Sequence, residues 1–322
     1  MGTKEDNIVK LKSEIQNADA LVIGAGAGMS TAAGFTYSGE KFDRYFTDFA
    51  DSCGFSDMYT GGFMVQNLPL ENLWAYWSRM IYLNRYTKAP KPVYEKLLEM
   101  VKDKDYFVLT TNVDHCFQRA GFDKERLFYT QGDYGLWQCG SGRIKKTYDN
   151  EEQVKKMLLS QGFWFEHVPP KSGRAVNEEL DYSADWGQLI PPEKENGETD
   201  FGSLRMQIPE ELIPYSPDDG APMTMNLRSD ATFVEDAGWH AASERYEEFM
   251  KTHRTKKTLF LELGTGMNTP TIIKYNFWQK VYSWPDATYA CVNLGEAYAP
   301  EEIREKSICI DGDIGEVIDK IG

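Results

Sequence analysis

The sequence predicts an α/β fold, a Rossmann-like doubly wound parallel sheet with a helical module and a smaller second domain. Three observations favour this class. Short apolar runs alternate with amphipathic segments along much of the 322-residue chain. A glycine cluster directly follows the first apolar run. Two stretches of different composition interrupt the alternation. In a sheet of this kind, ligands bind at the carboxyl ends of the strands.

The apolar runs predict strands that are buried on both faces, because they lack the alternation of a half-exposed strand. They lie at 20–23, 106–109, 126–129, 258–263, 289–292 and 308–310. Amphipathic patterns and helix-terminus residues predict helices in the remaining parts. These helices lie at 4–17, 92–101, 114–120, 237–250, 271–280 and 314–321.

The two interrupting stretches predict the other parts of the molecule. Residues 35–88 are rich in aromatic side chains and have a helical pattern, so they form the helical module. Residues 134–230 are polar and proline-rich, with an exposed loop expected over 191–199, and form the small domain. The Rossmann-like domain then comprises 1–133 and 231–322. Aromatic residues are the candidate core of the small domain, namely Trp137, Phe163, Trp164, Phe165 and Trp186.

Charge and composition exclude several classes of partner. The net charge of -15 argues against nucleic acid and against an anionic membrane surface, since both are bound through clustered Lys and Arg. The polar segment MGTKEDNIVKLKSEIQ carries no apolar signal core, and no stretch approaches the roughly 20 apolar residues that a membrane span needs. Five scattered cysteines, an odd number, suit reduced thiols, so we expect a cytoplasmic protein.

The segment Gly24-Ala25-Gly26-Ala27-Gly28-Met29-Ser30 follows a strand and opens a helix. Backbone amides and a helix N-terminus in this context can hold a pyrophosphate, and glycine leaves room for its close approach. A plain tight turn is the alternative. Ser30 occupies the place of the third glycine in the dehydrogenase pattern, and no acidic residue clearly ends a second strand some 20 residues later. The pattern therefore argues against hydride transfer.

Two further polar segments stand where strands end. Thr110-Thr111-Asn112-Val113-Asp114 directs Asn112 and Asp114 to the ligand edge of the sheet, although Asp114 could equally cap a helix. Gln131 follows the next strand and reaches the same edge, although a buried glutamine is often structural. His115 lies beside Asp114 and could point into the site, but a histidine in such a position more often caps or packs. The remaining histidines, His167, His240 and His253, show no ligand spacing.

The order of these motifs resembles that of the sirtuins, from about residue 8 to the C-terminus. GAGAGMS is followed by TTNVD, TQGDYGLWQC, ELGTGMNTP, VNLG and DGDIGEVI. The resemblance is closest to the macrodomain-linked class M sirtuins of microbes, which the segments 35–39, 57–59, 74–78 and 106–115 also look like. The resemblance implies that NAD is consumed as a substrate by cleavage of its nicotinamide–ribose bond.

Site residues follow from the resemblance position by position. It assigns Asn112 and Asp114 to the nicotinamide pocket. Gln131 stands where deacylating sirtuins have a histidine general base; a glutamine cannot hold a proton near neutral pH, but it can hydrogen-bond a ribose hydroxyl. Deacylation is therefore expected to fail, and the class M activity is protein mono-ADP-ribosylation. The implied NAD contacts are Gly24, Ala25, Gly26, Ser30, Gly34, Tyr37, Gly264, Thr265, Asn293, Asp313 and Ile314.

The chain departs from the usual sirtuins at two further places. Thr36-Tyr37-Ser38 replaces their Asp-Phe-Arg segment. Of their four zinc-binding cysteines only Cys139 is present, and the segment 215–218 stands where the second pair is expected. One thiol and a distant Asp218 are poor zinc ligands, so we expect no zinc.

Three functions remain open at this level. The first is transfer of ADP-ribose to a protein acceptor, for which the resemblance implies a lipoylated glycine-cleavage H-like carrier and a macrodomain hydrolase that reverses the modification. The second is an NAD glycohydrolase, in which water replaces the acceptor. The third is a non-catalytic sensor of NAD or ADP-ribose.

Overall fold

The computed structural model describes residues 3–167, 180–267 and 269–322. Residues 1–2, residues 168–179 of the predicted small domain and Asn268 of the ELGTGMNTP motif lie outside the described residues. No helix in the described ranges has both the length and the apolarity needed to cross a bilayer.

Strands in the described part of the chain include six that match the predicted apolar runs. In chain order they are β1 (Ala20–Ala25), β2 (Tyr106–Thr110), β3 (Leu127–Tyr129), β4 (Gly132–Cys139), β5 (Thr147–Asp149), β6 (Trp164–Phe165), β7 (Leu189–Ile190), β8 (Met223–Leu227), β9 (Thr258–Leu263), β10 (Ala287–Asn293) and β11 (Ser307–Asp311).

The α-helices of the described residues include all those that the sequence predicts. They are α1 (Lys4–Asn17), α2 (Ala27–Ala32), α3 (Glu40–Cys53), α4 (Met58–Met64), α5 (Leu70–Ile81), α6 (Val93–Val101), α7 (Cys116–Arg119), α8 (Glu151–Gln161), α9 (Ala237–Thr252), α10 (Lys274–Ser283) and α11 (Ile314–Ile321). Short 3₁₀ or π helices occur at Val65–Asn67, Tyr82–Tyr86, Lys124–Arg126, Phe201–Ser203, Glu210–Leu212 and Glu301–Lys306.

The central sheet has the order β11-β10-β9-β1-β2-β3, and every neighbouring pair is parallel. The strand order reverses between β1 and β9, where Ala25 lies opposite Leu263. At such a reversal the connecting loops diverge and leave a crevice at the carboxyl ends of the strands. The predicted fold class, a doubly wound parallel sheet, is confirmed.

Apolar side chains cover both faces of this sheet. Residues of α1, α6 and α11 pack on one face, and residues of α9 and α10 pack on the other. Every residue of β1, β2 and β9 is buried as a result. This explains why these strands read as continuous apolar runs in the sequence.

The chain divides into two compact units. The first comprises Met1–Phe35, Ala89–Asp133 and Glu235–Gly322, and the second comprises Thr36–Lys88 and Tyr134–Val234. The helical segment therefore shares its contacts with the second unit, whereas the sequence expectation grouped it with the Rossmann-like domain.

A buried arginine explains why the helical segment belongs to the second unit. The Arg79 guanidinium of α5 is fully buried and forms an ion pair of 2.8 Å with Asp48 of α3. Its Nε donates a hydrogen bond of 2.8 Å to Oε1 of Gln161, the last residue of α8. Aromatic rings complete the surroundings, since the guanidinium lies 5.0 Å from the centroid of Phe163. A buried charge needs such partners, so Arg79 ties the helical segment to residues beyond 150.

The second unit also contains two small sheets, with the orders β5-β4-β8 and β6-β7. Four of its five predicted core aromatics, Trp137, Phe163, Phe165 and Trp186, are at least 95% buried, and Trp164 is half-buried.

Candidate functional site

Two turns pack backbone against backbone at the strand-order reversal. The Gly26 amide donates to the Leu263 carbonyl at 3.0 Å, and the Gly28 amide donates to the Gly264 carbonyl at 2.9 Å. A Cβ on Gly26 would lie 2.7 Å from the Gly264 oxygen, and one on Gly28 would lie 2.7 Å from the Gly264 Cα. The turn at 264 itself needs glycine, because its φ is +66°. The contact between the two turns therefore requires these glycines.

Asn112 is oriented by the end of β1. The Thr110 hydroxyl donates to the Ala25 carbonyl at 2.9 Å and accepts the Asn112 amide at 3.0 Å. The Asn112 side-chain nitrogen then donates to the Gly26 carbonyl at 2.9 Å. The side-chain amide predicted to contact nicotinamide is therefore held directly against the glycine turn.

Asp114 is a buried carboxylate beside the same turn, with 7% of the residue exposed. Its Oδ2 accepts the Ser30 hydroxyl at 2.5 Å and its Oδ1 accepts the Cys116 amide at 3.0 Å. Burial raises the pKa of Asp114, and hydrogen bonds from Ser30 and Cys116 partly offset this. Asp114 thus forms a local backbone contact and a long-range contact to the glycine turn at the same time.

Tyr94 of α6 also joins this cluster, although no local pattern in the sequence marks it as a site residue. Its hydroxyl lies 3.2 Å from the Ser30 hydroxyl. Burial, followed by the charge of Asp114, raises the pKa of Tyr94 well above its ordinary value, so the phenol is protonated at neutral pH.

Gln131 is half-buried in the turn between β3 and β4. The preceding residue fixes this turn, because the Thr130 amide donates to the Thr110 carbonyl at 2.9 Å. The Trp239 ring nitrogen donates to the Thr130 carbonyl at 3.1 Å. Gln131 therefore follows the strand next to β2, at the edge that also carries Asn112 and Asp114.

The turn at 264–265 follows β9, which lies on the opposite side of β1 from β2. Thr265 is fully buried, and within the described residues its hydroxyl oxygen has no hydrogen-bond partner. The Asn293 side chain donates to the Thr265 carbonyl at 3.0 Å. A buried hydroxyl without a partner is costly, so a ligand donor or acceptor would fit it.

Asp313 and Ile314 begin the last helix. The Asp313 side chain accepts the Glu316 amide at 3.0 Å and caps α11, and Ile314 is buried. Gly34, with a φ of +93°, packs on Pro90 in the same unit. Tyr37 belongs to the second unit, where its hydroxyl lies 3.2 Å from the Tyr134 hydroxyl and its ring stacks on Tyr59.

Cys139 contacts a different acidic residue from the one that the sequence suggested. Its Sγ lies 3.1 Å from Asp219 Oδ1 and 3.0 Å from the Ser141 hydroxyl, while Asp218 pairs with Lys146. Hydrogen bonds, first from Cys139 and then from Ser141, lower the pKa of Asp219 to about 2. Within the described residues, no three His, Cys, Asp or Glu side chains are grouped as metal ligands would be.

No family model matches the sequence. Over 319 residues the chain is 32% identical to a protein ADP-ribosyltransferase of Staphylococcus aureus, which covers 99% of this chain and 88% of that protein. It is 27% identical to a probable bifunctional ADP-ribose hydrolase/ADP-ribosyltransferase of Fusarium oxysporum f. sp. cubense, over 98% of this chain and 48% of that longer protein.

The fold is that of solved sirtuins. A Sir2 mutant solved with a p53 peptide and NAD superposes with a TM-score of 0.52 at 16% identity, over 98% of this chain and 96% of that one. The family relationship implied by the order of motifs is therefore confirmed. The chain belongs to the sirtuin-type protein ADP-ribosyltransferases.

Proposed function

We propose that this enzyme transfers ADP-ribose from NAD to a side chain of a protein acceptor and releases nicotinamide. The observation that carries the proposal is the cluster in which Ser30 binds Asp114 and Asn112 binds Gly26. This cluster joins the glycine turn, which is the candidate phosphate site, to the polar loop after β2. The nicotinamide ribose would lie at this junction. The name of the staphylococcal relative supports transfer as the outcome.

In this proposal NAD extends along the carboxyl edge of the sheet. Gly24, Ala25, Gly26, Ser30, Gly34 and Tyr37 bind the phosphates and nicotinamide ribose; Gly264, Thr265 and Asn293 bind the adenosine ribose; Asp313 and Ile314 border the adenine. The Thr265 hydroxyl, which has no hydrogen-bond partner among the described residues, supports this path because a ribose hydroxyl would satisfy it. Because the Asp313 carboxylate caps α11, its backbone rather than its side chain would contact the adenine.

The chemistry needs no base to break the first bond. Asn112 and Asp114 hold the amide group of nicotinamide. When the bond between C1′ and the pyridinium nitrogen breaks, its electron pair stays on the nitrogen and neutral nicotinamide leaves. Gln131 orients the ribose and the acceptor. Since a glutamine cannot take up a proton, the acyl intermediate of a deacylase would not be resolved at this position.

The acceptor that we propose is a lipoylated glycine-cleavage H-like carrier in the cytoplasm, and a macrodomain hydrolase would reverse the modification. The fungal relative supports the second part, because its printed name joins an ADP-ribose hydrolase to an ADP-ribosyltransferase. We also propose that the second unit needs no zinc. The contacts of Cys139 with Asp219 and Ser141 support this, because they satisfy the thiol without a metal.

The test is to incubate the purified enzyme with NAD and either the lipoylated carrier or the same carrier without lipoyl. Nicotinamide release and the intact mass of every protein are followed. We expect ADP-ribose on the lipoylated carrier only, and none with Asn112→Ala. Asn17→Ala, at the exposed end of α1, is the matched control and should behave as wild type. Nicotinamide release without protein modification would indicate a glycohydrolase, and tight binding of uncleaved NAD would indicate a sensor.

A further inference from the structure

A histidine in the loop after β2 contacts an aspartate at the start of β4. His115 Nδ1 lies 2.7 Å from Asp133 Oδ2. His115 comes directly after Asp114, beyond β2, and Asp133 comes two residues after Gln131, beyond β3. Because β2 and β3 are paired in the sheet, this contact lies at the edge that carries the proposed nicotinamide pocket.

The backbone at His115 is held in an unfavourable conformation. Its φ is 64°, and no other non-glycine residue within 3–167, 180–267 and 269–322 has a positive φ. Such a conformation is strained for a residue with a Cβ and is typically kept where a side chain must be directed at a functional site. The left-handed turn directs the imidazole to Asp133 and also ends the loop before α7.

The partner of His115 determines which ring nitrogen carries the proton. A carboxylate oxygen accepts hydrogen bonds, so Nδ1 must be protonated to face Asp133. Nε2 then keeps its lone pair when the ring is neutral. The Asp133 side chain is 5% exposed and the His115 side chain is 28% exposed. The aspartate is therefore the buried member of the pair, and the imidazole is the accessible one. This is the division of roles in which an aspartate orients a histidine base.

We propose that His115 is the general base of the transfer reaction, positioned by Asp133, and this inference rests on the proposed function above. The C1′–nitrogen bond breaks with its electron pair going to the pyridinium nitrogen. A bond forms between C1′ and the acceptor atom, and the proton of that atom moves to His115 Nε2. His115 thus takes the role that Gln131 cannot perform.

A pair of small nucleophiles tests this without the acceptor protein. Methanol must lose a proton when it attacks C1′, whereas azide is already an anion and needs no base. The wild-type enzyme is incubated with NAD and each nucleophile, and methyl ADP-ribose, ADP-ribosyl azide and nicotinamide are measured. The test variant is His115→Asn, because asparagine tolerates a positive φ and can still donate to Asp133 but cannot take up the proton.

The chain offers a matched control. His253 also pairs with an aspartate, since its Nε2 lies 2.9 Å from Asp105, which precedes β2 at the opposite end of the strand. His253→Asn removes a similar histidine–aspartate pair that lies outside the proposed site. Circular dichroism and the melting temperature of each variant establish that it is folded.

We expect His115→Asn to lower formation of methyl ADP-ribose by about 100-fold and to leave azide adduct formation within about threefold of wild type. His253→Asn should form both products. Equal loss of both products in folded His115→Asn, or loss of neither, would overturn the role as base. A wild-type enzyme that releases no nicotinamide with methanol, azide or the lipoylated carrier would instead refute the proposed function, and this inference with it.

Discussion

The hydroxyl of Ser30 donates a 2.5 Å hydrogen bond to the buried carboxylate of Asp114 and thereby ties the glycine turn to the loop after β2. These residues are 84 positions apart: Ser30 lies in α2, which follows β1, and Asp114 lies in the loop after the neighbouring strand β2. Both the stability of the protein and its ability to cleave NAD should therefore depend on this contact.

Ser30→Ala tests the contact directly. It leaves a buried carboxylate with one hydrogen bond fewer, so the free energy of unfolding should fall by about 1–3 kcal/mol. NAD cleavage should fall as well, because Asp114 loses its orientation. Urea unfolding and nicotinamide release measure the two effects. Ser13→Ala, at an exposed position of α1, is the control and should change neither quantity. Unaltered NAD cleavage in Ser30→Ala would show that catalysis does not depend on the contact.

Asp114→Asn should stabilise the protein at neutral pH and abolish transfer. Burial raises the pKa of Asp114, so the folded state loses stability as the pH rises from below the unfolded pKa through the higher folded pKa. Asparagine does not ionise. Its advantage should be small near about pH 3 and should grow as the pH rises towards neutral. Urea unfolding across this range checks the prediction, and an advantage that shrinks with rising pH would contradict it.

Gly28→Ala should disrupt the contact between the two turns. The new Cβ would lie 2.7 Å from the Gly264 Cα, and neither backbone can retreat without moving a strand. We expect a loss of about 1–3 kcal/mol in unfolding free energy and weaker binding of ADP-ribose, measured by calorimetry. In Gly238→Ala the Cβ approaches only the Asp236 carboxylate, at 3.3 Å, so that variant is the control. Wild-type binding by Gly28→Ala would show that the turns can separate freely.

The second unit should fold without a structural metal. The Cys139 thiol, Ser141 and Asp219 form a hydrogen-bonded group, so a chelator should leave the melting temperature unchanged, whereas Asp219→Ala should lower it. Elemental analysis of protein purified without chelator gives the second measurement. One zinc per chain would show that other residues supply the missing ligands.

The sequence predicts the central sheet well because burial on both faces leaves an unmistakable pattern. The run 258–263 matches β9, and the helix expected over 314–321 matches α11, where the Asp313 side chain caps the first turn. Helix ends are less predictable. The helix expected over 271–280 is Lys274–Ser283, because residues 270–273 form a turn.

Other features depend on contacts that no local pattern records. The helical segment groups with the rest of the second unit through Arg79, whose partner Gln161 lies 82 positions away in sequence. The pairing of His115 with Asp133 requires a left-handed backbone at a histidine, which the residue type does not indicate. The position of Asn112, Asp114 and Gln131 at the carboxyl edge of the sheet could be predicted because each follows a strand end.

Stoichiometry tests the central claim most directly. In a reaction with NAD and the lipoylated carrier, the amount of nicotinamide released is compared with the amount of ADP-ribose bound to the carrier. ADP-ribosyl transfer predicts equal amounts and little free ADP-ribose. Nicotinamide in large excess over the bound ADP-ribose, matched by free ADP-ribose, would contradict transfer as the function of this enzyme.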